Sequence, residues 1–98
     1  MKKSLNEILK ELKSILPEIQ SKYSVLSIEV FGSYTINRQT SRSDVDLLVT
    51  FTKTPGLLKY IELENFISDK LNLKVDLVMK DSIKPALKNY IFPEAIHI

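Results

Sequence analysis

The sequence predicts an α/β (α+β) fold in which helices cover a small mixed β-sheet. Two patterns predict it: three short stretches alternate apolar and polar residues, as strands do, and the stretches around them repeat apolar residues at helical spacing. The order is helix, strand, short helix, strand, helix, strand, helix. The chain has 98 residues, 44% hydrophobic and 27% charged, so we expect one ordered domain, 1–98.

The first helix is predicted to begin after Ser4, because Ser4 and Glu7 have the spacing of a capping box. Apolar residues then recur every three or four positions, with lysine and glutamate between them. Pro17 lacks the backbone N–H that a helix interior needs. We therefore expect a break or kink there, followed by a second helical turn from Ile19 to about Lys22.

Period-two alternation predicts three strands, over residues 24–31, 44–51 and 73–79. In the first strand it places Leu26, Ile28 and Val30 on one face, with Val25 and its alternates on the other. The polar residues 33–43, between the first two strands, are predicted to form a short helix and a loop.

An amphipathic helix is predicted over residues 57–71, between the Pro55-Gly56 turn signal and Asn72. Leu57-Leu58, just after the turn, belongs either to the core or to an exposed patch that could bind a helical partner. A last short helix is predicted over residues 85–92.

The composition excludes several classes of protein. Without cysteine the chain has no disulfide, cysteine–zinc site or cysteine nucleophile, which fits a reducing cytoplasm. The one histidine, His97, argues against a Ser-His-Asp triad. A net charge of +2 does not predict stable nucleic-acid binding. No apolar run is long enough to span a membrane, and charges interrupt any signal-peptide pattern, so a cytoplasmic location is expected.

Asp44 and Asp46 are the first candidate site residues. Residues two apart in a strand point to the same face, about 7 Å apart at their Cα atoms. At about 5 Å and an effective dielectric of 20, two ionised carboxylates repel by about 3 kcal/mol, so a cation or basic partner is expected between them. Mg²⁺ suits the pair, because it takes oxygen ligands and keeps waters for substrate phosphates.

Asp76 is the third candidate carboxylate, because aspartate is unusual in an apolar strand such as LKVDLVM. If that strand pairs beside residues 44–51, Asp76 joins the face that carries the other two aspartates. Three carboxylates together could bind two divalent ions. The alternatives are structural: Asp44 as a strand-start cap, Asp46 as an exposed edge residue, and Asp76 paired with a neighbouring lysine.

Gly32-Ser33 follows the first strand and precedes the predicted short helix. Glycine lets backbone approach a ligand closely, and serine can cap a helix whose free N–H groups favour phosphate. Alone, the pair would usually be a turn. Together with the aspartates, it suggests metal-dependent phosphoryl or nucleotidyl transfer.

The segment FGSYTINRQTSRSDVDLLVTF resembles the nucleotidyltransferase motif of the DNA polymerase beta superfamily: Gly-Ser, a spacer, then Asp-x-Asp. With the later KVDLVMKDSIKPALKNYIFPEAI, the chain is similar to the minimal nucleotidyltransferase (MNT) subfamily over most of its length. The resemblance implies that Gly32 and Ser33, with Ser43 as a further candidate, bind the nucleotide. It implies that Asp44, Asp46 and Asp76 bind Mg²⁺, two ions in all, and are catalytic.

The resemblance also implies a function. MNT proteins are commonly encoded beside a HEPN-domain ribonuclease toxin, and as antitoxins they transfer AMP from ATP to a tyrosine of that toxin. We therefore expect a Mg²⁺-dependent protein adenylyltransferase that forms a hetero-oligomer with a HEPN partner. In that mechanism an acceptor hydroxyl attacks the α-phosphorus in line, and Asp76 helps to deprotonate it.

Two other functions stay open. Many relatives continue Gly-Ser-x-Ala-Arg-Gly, whereas this chain has Thr35-Ile36-Asn37. Ile36 cannot neutralise phosphate charge as arginine can, which motivates an MNT-fold antitoxin that neutralises its HEPN partner by binding alone. The other function is that of a small-molecule nucleotidyltransferase of the antibiotic-modifying kind, which the lack of a substrate domain disfavours.

Overall fold

A computed structural model of the chain describes residues 4–31, 45–86 and 95–98. Two helices in these residues pack on one face of a four-stranded mixed sheet. The elements are, in chain order, α1 (Leu5–Tyr23), β1 (Val25–Phe31), β2 (Val45–Phe51), α2 (Leu57–Leu71), β3 (Val75–Met79), a 3₁₀ helix (Lys80–Ser82) and β4 (Ile96–His97). The predicted class, helices covering a small mixed sheet, is confirmed.

The beginning of α1 confirms the predicted capping box: the Ser4 hydroxyl accepts a hydrogen bond from the Glu7 backbone N–H at 3.2 Å. The predicted break at Pro17 is wrong, because α1 is one helix of 19 residues. Pro17 lies on the exposed face, where water can reach the carbonyl that loses its donor. The opposite face packs without interruption on the sheet through five buried residues, Ile8, Leu12, Ile15, Ile19 and Tyr23.

The strands are ordered β3-β2-β1-β4. β1 pairs antiparallel with β2 and β4, whereas β2 and β3 are parallel and are joined by α2. A parallel pair needs such a crossover, and a helix is its usual form. α2 ends where the sequence predicts, with Asn72 in the left-handed conformation (φ 54°) that asparagine tolerates.

The predicted face of Leu26 is wrong. The register between β1 and β2 shifts between Val25 and Ser27, so a bulge at Leu26 changes which side chains point inward. Val25 joins Ile28 and Val30 in the core, and Leu26 is 55% exposed. Period-two alternation cannot reveal an inserted residue, because it assumes an unbroken ladder.

The period-two alternation predicted for the second and third strands is confirmed in β2 and β3. Val45, Leu47 and Val49 of β2 point to the helices, as do Val75 and Leu77 of β3. The alternate residues of both strands therefore lie on the opposite face of the sheet. The short helix predicted within residues 33–43 and most of the one predicted over 85–92 lie outside the described residues. Neither described helix is long and apolar enough to cross a membrane.

Candidate active site

Two of the predicted carboxylates lie side by side on the sheet face away from the helices. Asp46 and Asp76 are direct partners in the parallel β2–β3 ladder, which places their Cα atoms about 4.8 Å apart. Asp76 is exposed and Asp46 is partly buried. The backbone N–H of Val45 donates to the Lys74 carbonyl at 2.9 Å, which holds this register at the start of both strands. The predicted meeting of Asp46 and Asp76 is confirmed.

The other predicted site residues, Gly32, Ser33, Ser43 and Asp44, lie outside the described residues. The described strands nevertheless show where this segment connects. Phe31, the last residue of β1, is the ladder partner of Asp46, and β2 begins at Val45. β1 therefore ends, and β2 begins, at the end of the sheet that carries Asp46 and Asp76.

The chemistry of these donors fits a hard divalent cation. Asp46 and Asp76 supply carboxylate oxygens from neighbouring strands, and oxygen is the ligand that Mg²⁺ takes in proteins. Within residues 4–31, 45–86 and 95–98, no group of three acidic, histidine or cysteine side chains comes together. The described site is thus a pair of carboxylates, and the third predicted ligand, Asp44, precedes β2 directly.

A third acidic residue on this face has a different environment. Glu29 of β1 is 8% exposed, the one charged residue among the buried residues of the described part of the chain. Its carboxylate accepts a hydrogen bond from the Lys80 ammonium at 2.7 Å. Lys80 follows β3 and Glu29 lies on β1, so the ion pair spans the intervening strand β2. Lys80 thus neutralises Glu29, which lies two residues before Phe31, the ladder partner of Asp46.

Side chains of α2 hydrogen-bond to the outer edge of β3, beside Asp76. The Tyr60 hydroxyl donates to the Leu77 carbonyl at 2.5 Å, and the Leu77 N–H donates to the Glu64 carboxylate at 3.0 Å. Burial raises the pKa of the Tyr60 hydroxyl above its ordinary value of 10.0, and the carboxylates of Glu64 and Asp76 raise it further. Tyr60 therefore remains a neutral hydrogen-bond donor at physiological pH.

An apolar groove of about 390 Å³ begins next to this hydrogen-bonded edge. Its lining comes from the α2 N-terminus, the second half of β3 and the 3₁₀ helix: Pro55, Leu57, Tyr60, Leu77, Val78, Met79 and Ser82. The groove contains neither Asp46 nor Asp76, so it is separate from the carboxylate pair, whose oxygens suit a metal ion. The groove is suited to apolar side chains.

The sequence analysis missed the Glu29–Lys80 pair and the interactions of Tyr60 and Glu64 with the β3 edge. A signal for the first was present, since Glu29 is a lone charge in an otherwise apolar strand. The i, i+4 spacing of Tyr60 and Glu64 places them on one side of α2, but spacing alone cannot show which strand edge they face.

The described geometry places a pair of carboxylates at one end of a small mixed sheet. Comparison with known proteins identifies the class. The profile of the nucleotidyltransferase domain family matches residues 5–98, nearly the whole chain. The chain therefore belongs to the nucleotidyltransferase domain family, and it is an enzyme of that class.

The relatives narrow the class to a subfamily. A protein of Methanocaldococcus jannaschii, provisionally named protein adenylyltransferase MJ0128, is 48% identical over 95 residues, 96% of this chain and 94% of the relative. Protein adenylyltransferase MntA of Thermococcus cleftensis is 42% identical over 94 residues, 92% of this chain and 95% of the relative. These alignments span almost the full length of both proteins in each pair.

Solved structures agree with this placement. A structure provisionally described as a minimal nucleotidyltransferase superposes with a TM-score of 0.80 at 26% identity, covering 96% of this chain and 95% of the other. A structure of the tri-AMPylated HEPN toxin of Shewanella oneidensis in complex with an MNT antitoxin matches with a TM-score of 0.58 at 25% identity. That match covers 94% of this chain and 66% of the other. The expected resemblance to the MNT subfamily is confirmed.

Proposed function

We propose that this chain is a Mg²⁺-dependent antitoxin that transfers AMP from ATP to a tyrosine of a HEPN ribonuclease toxin, with which it forms a hetero-oligomer. The observation that carries the proposal is the in-register pair Asp46–Asp76 on the sheet face away from α1 and α2. The adenylyltransferase names of its relatives, and the AMPylated HEPN toxin in one similar complex, support the acceptor class. Because ATP is abundant in the cytoplasm, the proposal places the reaction there.

The residues have distinct roles in this proposal. Asp46 and Asp76, with Asp44, would hold Mg²⁺, which when bound stabilises negative charge on the triphosphate. Gly32, Ser33 and Ser43 would bind the phosphates through backbone and hydroxyl groups. Their segment connects to the sheet at Phe31 and Val45, next to the carboxylates.

The transfer itself forms one bond and breaks one. The oxygen of the acceptor tyrosine attacks the α-phosphorus in line, and the bond from that phosphorus to the departing pyrophosphate breaks. Asp76 would accept the hydroxyl proton, because it is exposed at the edge strand, where an acceptor protein can approach. Asp46, partly buried between β1 and β3, would keep its position as a ligand.

The test uses the chain with ATP, Mg²⁺ and the HEPN protein encoded beside it. We expect the intact mass of the HEPN protein to increase in AMP units, and peptide mapping to place them on tyrosine. Asp46→Asn and Asp76→Asn should each lower the rate at least about 100-fold, since each removes a carboxylate that would hold the Mg²⁺ that stabilises transition-state charge. Asp81→Asn, which changes an exposed aspartate of the 3₁₀ helix, is the matched control and should transfer normally.

The second candidate function is neutralisation by binding alone, which Ile36 favours because it stands where many relatives carry arginine. It predicts a stable complex, no mass increase, and full protection of cells by the Asp46→Asn, Asp76→Asn double variant. Protection lost in the double variant, together with AMP on the partner, would contradict it. The same experiment thus separates an enzymatic antitoxin from a binding antitoxin.

A further inference from the structure

The outer edge of β3 carries an apolar surface that the reaction chemistry does not use. The groove of about 390 Å³ lies along this edge between the α2 N-terminus and the 3₁₀ helix. Three residues of α2 extend its apolar lining onto the surface: Leu57 is 74% exposed, Leu58 83% and Ile61 43%. We call the groove with Leu57, Leu58 and Ile61 the α2–β3 surface. Contiguous exposed apolar surface of this kind marks an interaction site rather than a solvated helix face.

Hydrogen bonds along the edge determine how a partner can bind. A free edge strand usually recruits another strand through its backbone groups. Here the outward N–H and C=O of Leu77 are already bonded to Glu64 and Tyr60. Strand addition through Leu77 would have to break both bonds. The α2–β3 surface is therefore suited to apolar side chains that enter the groove, not to an added strand.

The surface is continuous with the proposed active site. Leu77 and Val78, which line the groove, directly follow Asp76 in β3. Asp76 and Val78 lie on the same face, about 7 Å apart at their Cα atoms. A polypeptide that brings a hydroxyl to Asp76 reaches the groove within two or three of its own residues, at about 3.4 Å per residue. An acceptor at the carboxylates is therefore within reach of this surface.

We propose that the α2–β3 surface binds apolar side chains of the acceptor protein next to the residue that receives AMP. The proposal rests on the function proposed above and adds the recognition surface for the acceptor. A second copy of this chain is a less suitable occupant, because it would cover the β3 edge beside Asp76 and obstruct the acceptor. The surface thus favours a protein acceptor over a small-molecule acceptor, because it adds apolar contacts away from the reacting groups.

The test compares variants in the transfer assay with the HEPN protein as acceptor. Leu57→Ser, Leu58→Ser should raise the KM for the HEPN protein at least about tenfold, since apolar contacts at the centre of an interface dominate its affinity. The kcat at saturating acceptor and the affinity for ATP should stay within about twofold. Leu26→Ser is the matched control, because Leu26 is also an exposed leucine, at 55%, but lies on β1.

Each outcome decides something different. A KM for Leu57→Ser, Leu58→Ser equal to that of Leu26→Ser would overturn the α2–β3 proposal and leave the transferase intact. If the unmodified chain transfers no AMP, the proposed function fails, and the affinity of the same variants for the HEPN protein tests the surface directly. A wild-type dimer that Leu57→Ser, Leu58→Ser converts to monomer would assign the surface to a second copy, and also overturn the proposal.

Discussion

Two acidic positions on the same sheet face, two residues apart along the strands, differ in what lies next to them. In one row Asp46 is the ladder partner of Asp76 and of Phe31. In the next row Glu29 is the partner of Leu48 and is bonded to Lys80. In the first row two carboxylates lie side by side near the edge of the sheet, whereas in the second row one buried carboxylate is paired with a lysine.

The difference distinguishes a candidate ligand carboxylate from a structural one. A buried carboxylate with a lysine at 2.7 Å has its charge compensated within the protein. Two neighbouring carboxylates repel, and an added cation relieves the repulsion. The contrast shows that acidic residues on one sheet face differ in their neighbours, and it makes the row where carboxylate meets carboxylate the candidate for cation binding.

The largest effect on stability is expected from breaking the Glu29–Lys80 pair. Lys80→Met should lower the free energy of unfolding by about 1–3 kcal/mol, because it leaves the buried Glu29 carboxylate without its counter-ion. Urea denaturation measures the change. Lys84→Met, at an exposed lysine, should have almost no effect.

A double variant sharpens this prediction. Glu29→Gln, Lys80→Met should recover most of the loss, because it removes both charges of the pair. A double variant as unstable as Lys80→Met would show that the lysine stabilises the sheet by packing, not by charge.

The next effect tests whether the Asp46–Asp76 row binds a cation. Mg²⁺ at ten times its dissociation constant should raise the free energy of unfolding by about 1.4 kcal/mol, and thus raise the melting temperature. Asp76→Asn should abolish this shift, while Asp81→Asn keeps it. An equal Mg²⁺-induced rise of the melting temperature in wild type and Asp76→Asn would show that Asp76 is not a metal ligand. Chelation of the metal should return the wild type to its metal-free melting temperature.

The smallest effect concerns the edge next to this row. Tyr60→Phe should cost about 1 kcal/mol, since it removes the hydrogen bond to the Leu77 carbonyl. The pKa of Tyr60 is raised, so its stabilising contribution is complete below the ordinary value of 10.0 and is lost as pH rises through the folded pKa. The wild type should therefore lose stability above about pH 10 more steeply than Tyr60→Phe. Parallel slopes in denaturation experiments from pH 9 to 11 would contradict this.

Local patterns predicted much of this fold. The Ser4–Glu7 capping box, the αL residue Asn72 after α2, and the alternating faces of β2 and β3 depend on residues close in sequence. The sequence did not predict that α1 continues through Pro17. The helix continues because packing of its buried residues outweighs the loss of one hydrogen bond on the exposed face. The bulge at Leu26 did not follow either, since β2 sets the register.

One part of the candidate site could likewise be predicted from the sequence, and another part depends on the tertiary structure. The Asp-x-Asp spacing and the aspartate in an apolar strand could be identified from the sequence, and they indicated a metal-binding transferase. The pairing of Asp46 with Asp76 depends on β2 and β3 lying parallel and in register, which the crossover through α2 produces. The α2–β3 surface arises only when α2 lies along the outer edge of β3.

The sequence by itself determined the position of α2 and of the first three strands, the inward faces of β2 and β3 and the chemical identity of the candidate site residues, because these depend on periodicity and side-chain chemistry. The tertiary structure alone decided which charges meet. Glu29 and Lys80 are 51 residues apart, yet the strand order places them in contact, while the β2–β3 register places Asp46 beside Asp76. Long-range pairing is a collective result of packing, and no local pattern specifies it.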